Sequence, residues 1–181
     1  MAPRKQQEIF DATLRLVAEK GYDGLTVEGV AERSGVNKTT IYRWWPSKAA
    51  LLGAALVEAD VLSFEPPDTG SLRGDLVELV EGVTRLLTEP PARDIAVAAL
   101  AAAVDHPELD GRRFFADRFV REREIFERAA RRGELRDGID PMLVVDLLAG
   151  AVWVRAVFRG LPLPDGFAAD AVSAVLDGVT P

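Results

Sequence analysis

The sequence predicts an all-α protein with an N-terminal three-helix domain, which contains a helix-turn-helix, and a C-terminal helical domain. Apolar residues recur every three or four positions along the 181 residues, and strand-like alternation is not found. Residues 26–48 fit two short helices joined by a tight turn. The stretch PPDTG at residues 66–70 is the clearest linker, so we expect domains at residues 1–64 and 65–181.

Composition is that of a soluble globular protein, with 48% hydrophobic and 28% charged residues. The absence of cysteine excludes disulfides and thiolate metal ligands, and it suits a reducing cytoplasm. The first ten residues, MAPRKQQEIF, are too polar for a signal peptide. The longest apolar run, residues 142–158, contains Asp146 and Arg155. We expect that run to fall short of a membrane span and the protein to be cytoplasmic, with no membrane partner.

The net charge of −7 is unevenly distributed along the chain. Residues 1–50 carry eight Lys or Arg against six Asp or Glu, whereas residues 51–181 carry fourteen against twenty-three. All four lysines lie in the first fifty residues. Because salt screening limits the reach of a charge to about 8–10 Å, the local surplus matters more than the total. The charge pattern permits a nucleic-acid partner for the N-terminal part.

The N-terminal helices are predicted from their end signals. A first amphipathic helix covers residues 4–20 and ends at Gly21, and Thr26 caps the second helix. Gly35 takes the positive φ of the turn, and Asn37 caps the third helix. The early turns of that third helix then carry Lys38, Thr39, Thr40 and Tyr42.

Later elements follow from further caps and breakers. Pro46 ends the third helix, and Ser47 caps a fourth that reaches about residue 62. Ser71, Asp105, Asp140 and Asp165 are each expected to cap a further helix. The remaining predicted helices are 71–88, 92–104, 105–132, 140–160 and 165–178.

The third helix has side chains suited to a DNA groove. Thr39 and Thr40 present short hydroxyls for base edges, and Lys38 and Lys48 can each neutralise a phosphate. The alternative is that these are ordinary surface residues and that Tyr42 belongs to the core. The predicted DNA-contacting residues are Thr26, Lys38, Thr39, Thr40, Tyr42, Trp44 and Lys48.

The residues around this helix also carry a family resemblance. Thr26, SGV at 34–36, TIY at 40–42 and PSK at 46–48 form a much rarer string than helix-turn-helix spacing alone. Over residues 4–55 the chain resembles the tetracycline-repressor (TetR) family of bacterial transcriptional regulators. Beyond residue 55 the resemblance is architectural.

The resemblance implies a helix-turn-helix DNA-binding domain with a connecting helix, followed by a helical effector-binding and dimerisation domain. Trp44 stands where the family often has histidine, and Trp45 where it often has phenylalanine. Trp45 is expected to keep the role of a core aromatic residue. The double-stranded DNA operator and a small-molecule effector are the partners that the resemblance implies.

The helix at 141–158 is apolar nearly all the way round, so both of its sides need cover. One side fits the domain's own core, and a second copy of the chain is the expected cover for the other. The alternative is the central helix of a monomeric bundle. The predicted dimer interface comprises Leu147, Ala151, Val154, Ala171, Val172 and Val175.

An effector pocket is predicted among the long C-terminal helices. Aromatic residues at helical spacing are equally compatible with a core. Arg155 needs a partner inside its apolar helix, which is a ligand anion, Asp146 or an exposed rim. The pocket candidates are Phe115, Phe119, Phe126, Val152, Trp153, Arg155 and Val157.

Catalysis finds little support in the sequence. The chain has one histidine and no cysteine, and it lacks a glycine-rich phosphate loop and an aspartate-rich metal motif. We therefore expect no enzyme, no cofactor and no metal. The predicted function is that of a homodimeric repressor released from a pseudo-palindromic operator by a small, largely apolar effector. The alternatives are an activator, and an all-α carrier or enzyme for a hydrophobic small molecule.

Overall fold

The computed structural model describes residues 5–58, 65–106, 109 and 111–177, without the side chains of residues 111–119. Regular structure in these ranges is entirely helical, which confirms the predicted all-α class. A π-helical segment, Trp153–Phe158, directly continues α8. The α-helices are α1 (Gln6–Lys20), α2 (Val27–Ser34), α3 (Lys38–Trp44), α4 (Lys48–Glu58), α5 (Leu72–Thr88), α6 (Ala92–Asp105), α7 (Gly111–Arg131), α8 (Pro141–Val152) and α9 (Phe167–Leu176).

The helices form two compact units. The first comprises Met1–Ser63 with Pro90–Asp117, and the second comprises Phe64–Glu89 with Arg118–Pro181. Helix α6 therefore packs with the N-terminal helices, although it follows α5 in the chain. The domain boundary between residues 64 and 65 stays a prediction.

In the first unit, α1 is the central element and packs against α2, α4 and α6. Its side chains Ile9, Phe10 and Leu14 are fully buried, because its apolar residues cover much more than one narrow stripe. Gly21 ends α1 with a φ of 68°, as predicted. The ring of Trp45 packs edge-on against Phe10, with centroids 5.3 Å apart, which is the core role expected for this residue.

In the second unit, α5 packs against α8, α9 and the π segment. The hydroxyl of Ser71 caps α5 by accepting from the backbone N–H of Gly74 at 3.1 Å. The buried side of α5 includes Leu76, Leu79 and Leu87. Leu86, one residue before Leu87, is half-buried.

Three predicted helix ends also differ in the structure. The helix predicted over 140–160 changes from α to π geometry at Trp153, although Asp140 caps its start by accepting from Met142 N–H at 2.9 Å. The last helix starts after Gly166, whose φ is 80°, and its described cap has no side-chain hydrogen bond, so Asp165 was wrong as a cap. His106 ends α6 where a new helix start was predicted, while Pro107 and Glu108 lie outside the described residues.

A polar network joins the start of α5 to the chain after α7. The carboxylate of Asp75 is buried, and its Oδ1 accepts from the N–H of Thr69 at 2.6 Å and from the Thr69 hydroxyl at 2.8 Å. Arg132 lies 3.5 Å from Oδ2 of Asp75, and its Nε donates to Glu134 at 2.7 Å. Glu134 also accepts from the N–H of Leu72. The network satisfies the N–H of Leu72, a helix-terminal donor that would otherwise be unpaired.

Glu134 gives this network a pH dependence. Hydrogen bonds from Arg132 and from the N–H of Leu72 hold the pKa of Glu134 below its usual value. A carboxyl whose pKa is depressed by folding stabilises the protein above its unfolded pKa of about 4.3, and that contribution is lost as the pH falls through the folded value. We expect E134Q to lower the thermal midpoint at pH 7 and to lose less stability than the wild type between about pH 5 and pH 3. Thermal unfolding followed by circular dichroism measures both effects.

The matched control is E127Q, which removes an exposed carboxylate from α7. Parallel curves of midpoint against pH for the wild type and E134Q would show that the network does not titrate with folding.

Candidate nucleic-acid interface

Helices α2 and α3 form a helix-turn-helix, in which a side chain caps the start of each helix and Gly35 lies in the turn between them. The hydroxyl of Thr26 caps α2 by accepting from Gly29 N–H at 3.1 Å, and Oδ1 of Asn37 caps α3 by accepting from Thr39 N–H at 2.8 Å. Gly35 adopts φ 66° and ψ 24°, a left-handed conformation that costs glycine little. The carbonyl of Ala31 then accepts the N–H groups of Gly35 and Val36, which closes α2.

Helix α3 is attached to the unit through one face. Of its seven residues, all of which the structure describes, Ile41 is the one that is fully buried. Val30 of α2, in the same unit, is also fully buried. The described side chains of Lys38, Thr39 and Arg43 are exposed, and that of Thr40 is half-buried. The polar side of α3 is therefore presented to solvent.

Two aromatic residues on α3 are also accessible. Tyr42 and Trp44 each expose 43% of their surface, whereas Ile41 on the same helix is fully buried. Tyr42 therefore does not follow the alternative interpretation in which it is a core residue. Exposed aromatic groups with OH and N–H donors suit contacts with phosphate and sugar.

Lys48 lies at the start of α4, which the hydroxyl of Ser47 caps by accepting from Ala50 N–H at 3.1 Å. Its Nζ donates to the carbonyl of Tyr22 at 3.0 Å and stands 4.2 Å from the centroid of the Tyr22 ring. An ammonium has three donors, so this bond is compatible with a phosphate contact. The start of α4 also favours an anion through its backbone N–H groups.

Sequence analysis missed the group that supports Lys48. The ring of Tyr22 lies 4.4 Å from that of His106, and Nε2 of His106 is 3.4 Å from a carboxylate oxygen of Asp23. His106 comes from the C-terminal end of α6, far along the chain from Tyr22. Helical periodicity carries no signal for contacts between such distant residues, so this group was accessible from the structure alone.

Two ion pairs connect the helices of this region. Both guanidinium nitrogens of Arg33 in α2 bind Glu19 in α1, at 2.7 and 2.9 Å, which lowers the pKa of Glu19 and raises that of Arg33. Lys38, the first residue of α3, has its Nζ 3.7 Å from a carboxylate oxygen of Glu28 in α2. The second pair places a negative charge beside the exposed start of α3.

Two family models match this chain. Residues 9–55 match the model described as bacterial regulatory proteins of the tetR family, and residues 66–175 match the tetracyclin repressor-like C-terminal domain. The second match alone spans more than half of the chain. The chain belongs to the TetR family.

Relatives extend the match over nearly the whole length. The HTH-type regulator YdeS of Bacillus subtilis is 32% identical over 94% of this chain and 87% of its own length. AqdR of Rhodococcus erythropolis is 32% identical over 97% of this chain and 85% of its own length. The crystal structure of the TetR-family regulator SCO0332 superimposes with a TM-score of 0.77, at 35% identity, over 99% of this chain and 100% of that one. The protein is thus a DNA-binding transcriptional regulator and not an enzyme.

A more distant solved structure shares the fold alone. The transcriptional regulator FadR of Bacillus subtilis, solved in complex with stearoyl-CoA, has a TM-score of 0.66 at 17% identity, over 96% of this chain and 98% of that one.

The candidate effector residues occupy two kinds of position. Phe126 in α7 and Val152 in α8 are buried, while Trp153 and Val157 in the π segment are half-buried. The side chains of Phe115 and Phe119 lie outside the described residues. Their assignment to a pocket stays a prediction.

Arg155 has its charge placed at the end of the π segment. Its Nε donates to the carbonyl of Pro162 at 2.8 Å, and its guanidinium carbon is 5.9 Å from the ring centroid of Phe167. The backbone and an aromatic ring thus contact the guanidinium, a combination that the sequence alternatives did not include. A role for Arg155 in binding an effector stays a prediction.

The predicted dimer residues divide into exposed and buried positions. Leu147 and Val154 expose 54% and 50% of their surface, whereas Val172 is fully buried within its own unit. Leu143 and Phe158, which sequence analysis missed, are exposed on the same helix. Ala151, Ala171 and Val175 are half-buried. An interface at these residues stays a prediction.

Pro141–Phe158 is also the one helix among the described residues that is long and apolar enough to cross a membrane. The apolar run predicted at residues 142–158 thus passes this test of length and composition, and the expectation that it does not span a membrane stays a prediction. A single helix of this kind is weak evidence for a membrane, since the core helix of a soluble protein passes the same test.

The geometry of α3 and α4 separates two kinds of DNA contact. We expect K48Q to weaken binding to all sequences alike and to reduce the slope of log K against log salt by about 0.9, because one phosphate contact is lost.

We expect T40A to reduce discrimination between specific and random duplexes by about 1–3 kcal/mol, because a hydroxyl at a base edge is lost. Fluorescence anisotropy with labelled duplexes at several salt concentrations measures both quantities.

The control is K20Q, which removes an exposed lysine from the end of α1. A loss in T40A that is equal for specific and random DNA would contradict its role in base reading. A K48Q variant with the salt slope of the wild type would contradict the phosphate contact.

Proposed function

We propose that this TetR-family regulator is a homodimeric repressor that leaves a pseudo-palindromic operator when a small, largely apolar effector binds. The observation that carries the proposal is the surface of α3, which buries Ile41 and presents its hydroxyl, lysine and aromatic side chains to solvent. A helix attached by one apolar face and polar on the other is suited to a major groove.

In this proposal each subunit inserts α3 into one major groove. The two grooves of a pseudo-palindromic site are about 34–36 Å apart, so two copies of the chain are required. Thr39 and Thr40 read base edges, and Tyr42 and Trp44 contact the backbone. Lys38, Lys48 and the cap at Thr26 fix the position of the helix on the phosphates through the contacts that α2, α3 and α4 share.

The second copy is proposed to cover the exposed apolar face of the helix at 141–158. Leu143, Leu147, Val154 and Phe158 follow each other at spacings of four, seven and four residues, so they lie on one side. Burial of apolar surface contributes about 25 cal/mol for each Å² removed from water. The small residue Ala151 lies on the same stretch and permits close approach of a partner helix.

The effector is proposed to bind among α7, α8 and the π segment. Phe126, Val152, Trp153 and Val157 supply apolar surface there, and the DNA-bound form loses population when an effector prefers another conformation. Such coupling is reciprocal, so operator DNA must weaken effector binding by the same factor. The stearoyl-CoA bound by FadR of Bacillus subtilis joins an apolar acyl chain to a charged coenzyme A, and its acyl chain supports compounds with long apolar chains as the first class to test.

The central experiment is a gel shift with the DNA that flanks the gene of this protein, followed by a screen of apolar metabolites for release of the complex. We expect retention of that DNA against an excess of random competitor, and release by at least one compound. Binding that random competitor removes completely would contradict the operator. A carrier or enzyme would instead bind the small molecules without any effect on DNA.

The dimer face allows a direct variant test. We expect L147E to shift the protein from dimer to monomer in sedimentation equilibrium and to abolish operator retention, because a charge would be buried without a partner. The helical circular dichroism signal is expected to remain, since Leu147 is exposed within the subunit.

The control is V104E, which places the same charge on an exposed valine of α6. An L147E protein that stays dimeric at the concentrations used for the wild type would show that this face is not the interface.

A further inference from the structure

We propose that Glu28 restrains Lys38 and thereby lowers the affinity of the protein for the phosphate backbone of DNA. The inference deepens the proposed function, because it rests on α3 facing the DNA. Glu28 lies in the first turn of α2, where the helix dipole also favours a carboxylate.

The geometry places the Glu28 carboxylate beside the exposed start of α3. Its Oε1 lies 3.7 Å from Nζ of Lys38, and both side chains are 60% exposed. Glu28 is two residues after Thr26, which caps α2, so the carboxylate sits between two proposed DNA-contacting positions. A carboxylate in this place meets any duplex that α3 meets.

The pair affects affinity in two ways. A phosphate competes with Glu28 for the charge of Lys38, and a carboxylate within a Debye length of about 10 Å from the phosphates repels them with only partial screening. An exposed ion pair contributes only about 0.2–1 kcal/mol, so it opens readily and does not block binding. Its effect is a modest penalty on every backbone contact of Lys38.

That penalty applies to random and specific DNA alike. Non-specific binding depends almost entirely on contacts between cations and phosphates, whereas specific binding gains further energy from base edges. A repulsive group beside one cation costs the same free energy in both modes, so it lowers both affinities by the same factor and leaves their ratio unchanged.

The chain offers two matched controls for the loss of a carboxylate. Glu32 is exposed and lies one turn after Glu28 on the same helix. Glu19 forms the other described ion pair of this region, with Arg33, and holds no residue of α3. E32Q and E19Q therefore report the effect of removing one negative charge without releasing Lys38.

The test measures binding of the full-length protein to a labelled random-sequence duplex by fluorescence anisotropy across a series of salt concentrations. We expect E28Q to raise this affinity about 3- to 10-fold at low salt and to steepen the salt slope by about 0.9, because Lys38 then engages a phosphate unopposed. E32Q and E19Q are expected to raise affinity less and to leave the slope unchanged. In a K38Q background, E28Q is expected to do no more than E32Q.

A second measurement uses DNA that flanks the gene of this protein. We expect specific and random affinity to rise by the same factor in E28Q, so that their ratio stays unchanged, because the restraint acts on a backbone contact of Lys38 that both modes share. Thermal unfolding of each variant confirms that the fold is retained. If the wild type shows no specific retention, the proposed operator fails, while the random-duplex measurements still test the restraint on Lys38.

Three results would overturn the inference. These are equal shifts in E28Q and E32Q, an excess in E28Q that persists without Lys38, and a change in the ratio of specific to random affinity beyond that seen in E32Q. A fall in specific affinity with no gain on random DNA would likewise reject restraint and make Glu28 a direct contact.

Discussion

The attachment of α3 is the constraint on which the DNA-binding function depends. A helix of seven residues is far too short to form alone in water, because nucleation costs more than so few hydrogen bonds return. Its stability must come from the cap at Asn37, the turn at Gly35 and burial of Ile41. Because the helix is attached at these points, its opposite side does not need to pack against the rest of the unit.

Because α3 is attached at so few points, the residues that support the site lie on other elements. Lys48 belongs to the next helix, yet its ammonium is fixed by the carbonyl and ring of Tyr22, which follows α1. Tyr22 in turn contacts His106 at the end of α6. The ammonium of Lys48, which is proposed to contact a phosphate, is thus positioned by residues outside α3.

The sequence predicted local features well and distant ones poorly. The caps at Thr26, Asn37 and Asp140 were all confirmed, because a cap is a contact between near neighbours. The change to π geometry at Trp153 was missed, since apolar spacing over residues 141–158 continues unchanged through it. Contacts around Lys48 join residues far apart in the chain, and the candidate site could therefore be listed from sequence but not assembled.

The helix at 141–158 is apolar nearly all the way round, and the exposure of its side chains shows which side faces the core of its own unit. Leu148 and Val152 are buried, whereas Leu147 and Val154 are exposed, so this helix has a distinct inner and outer side. Asp146 is also exposed, at the same level as the outer leucines. A carboxylate in that position would be costly in hydrocarbon but tolerable at the rim of a protein interface, where water remains. The pattern of burial therefore favours a second protein surface as the partner of this face.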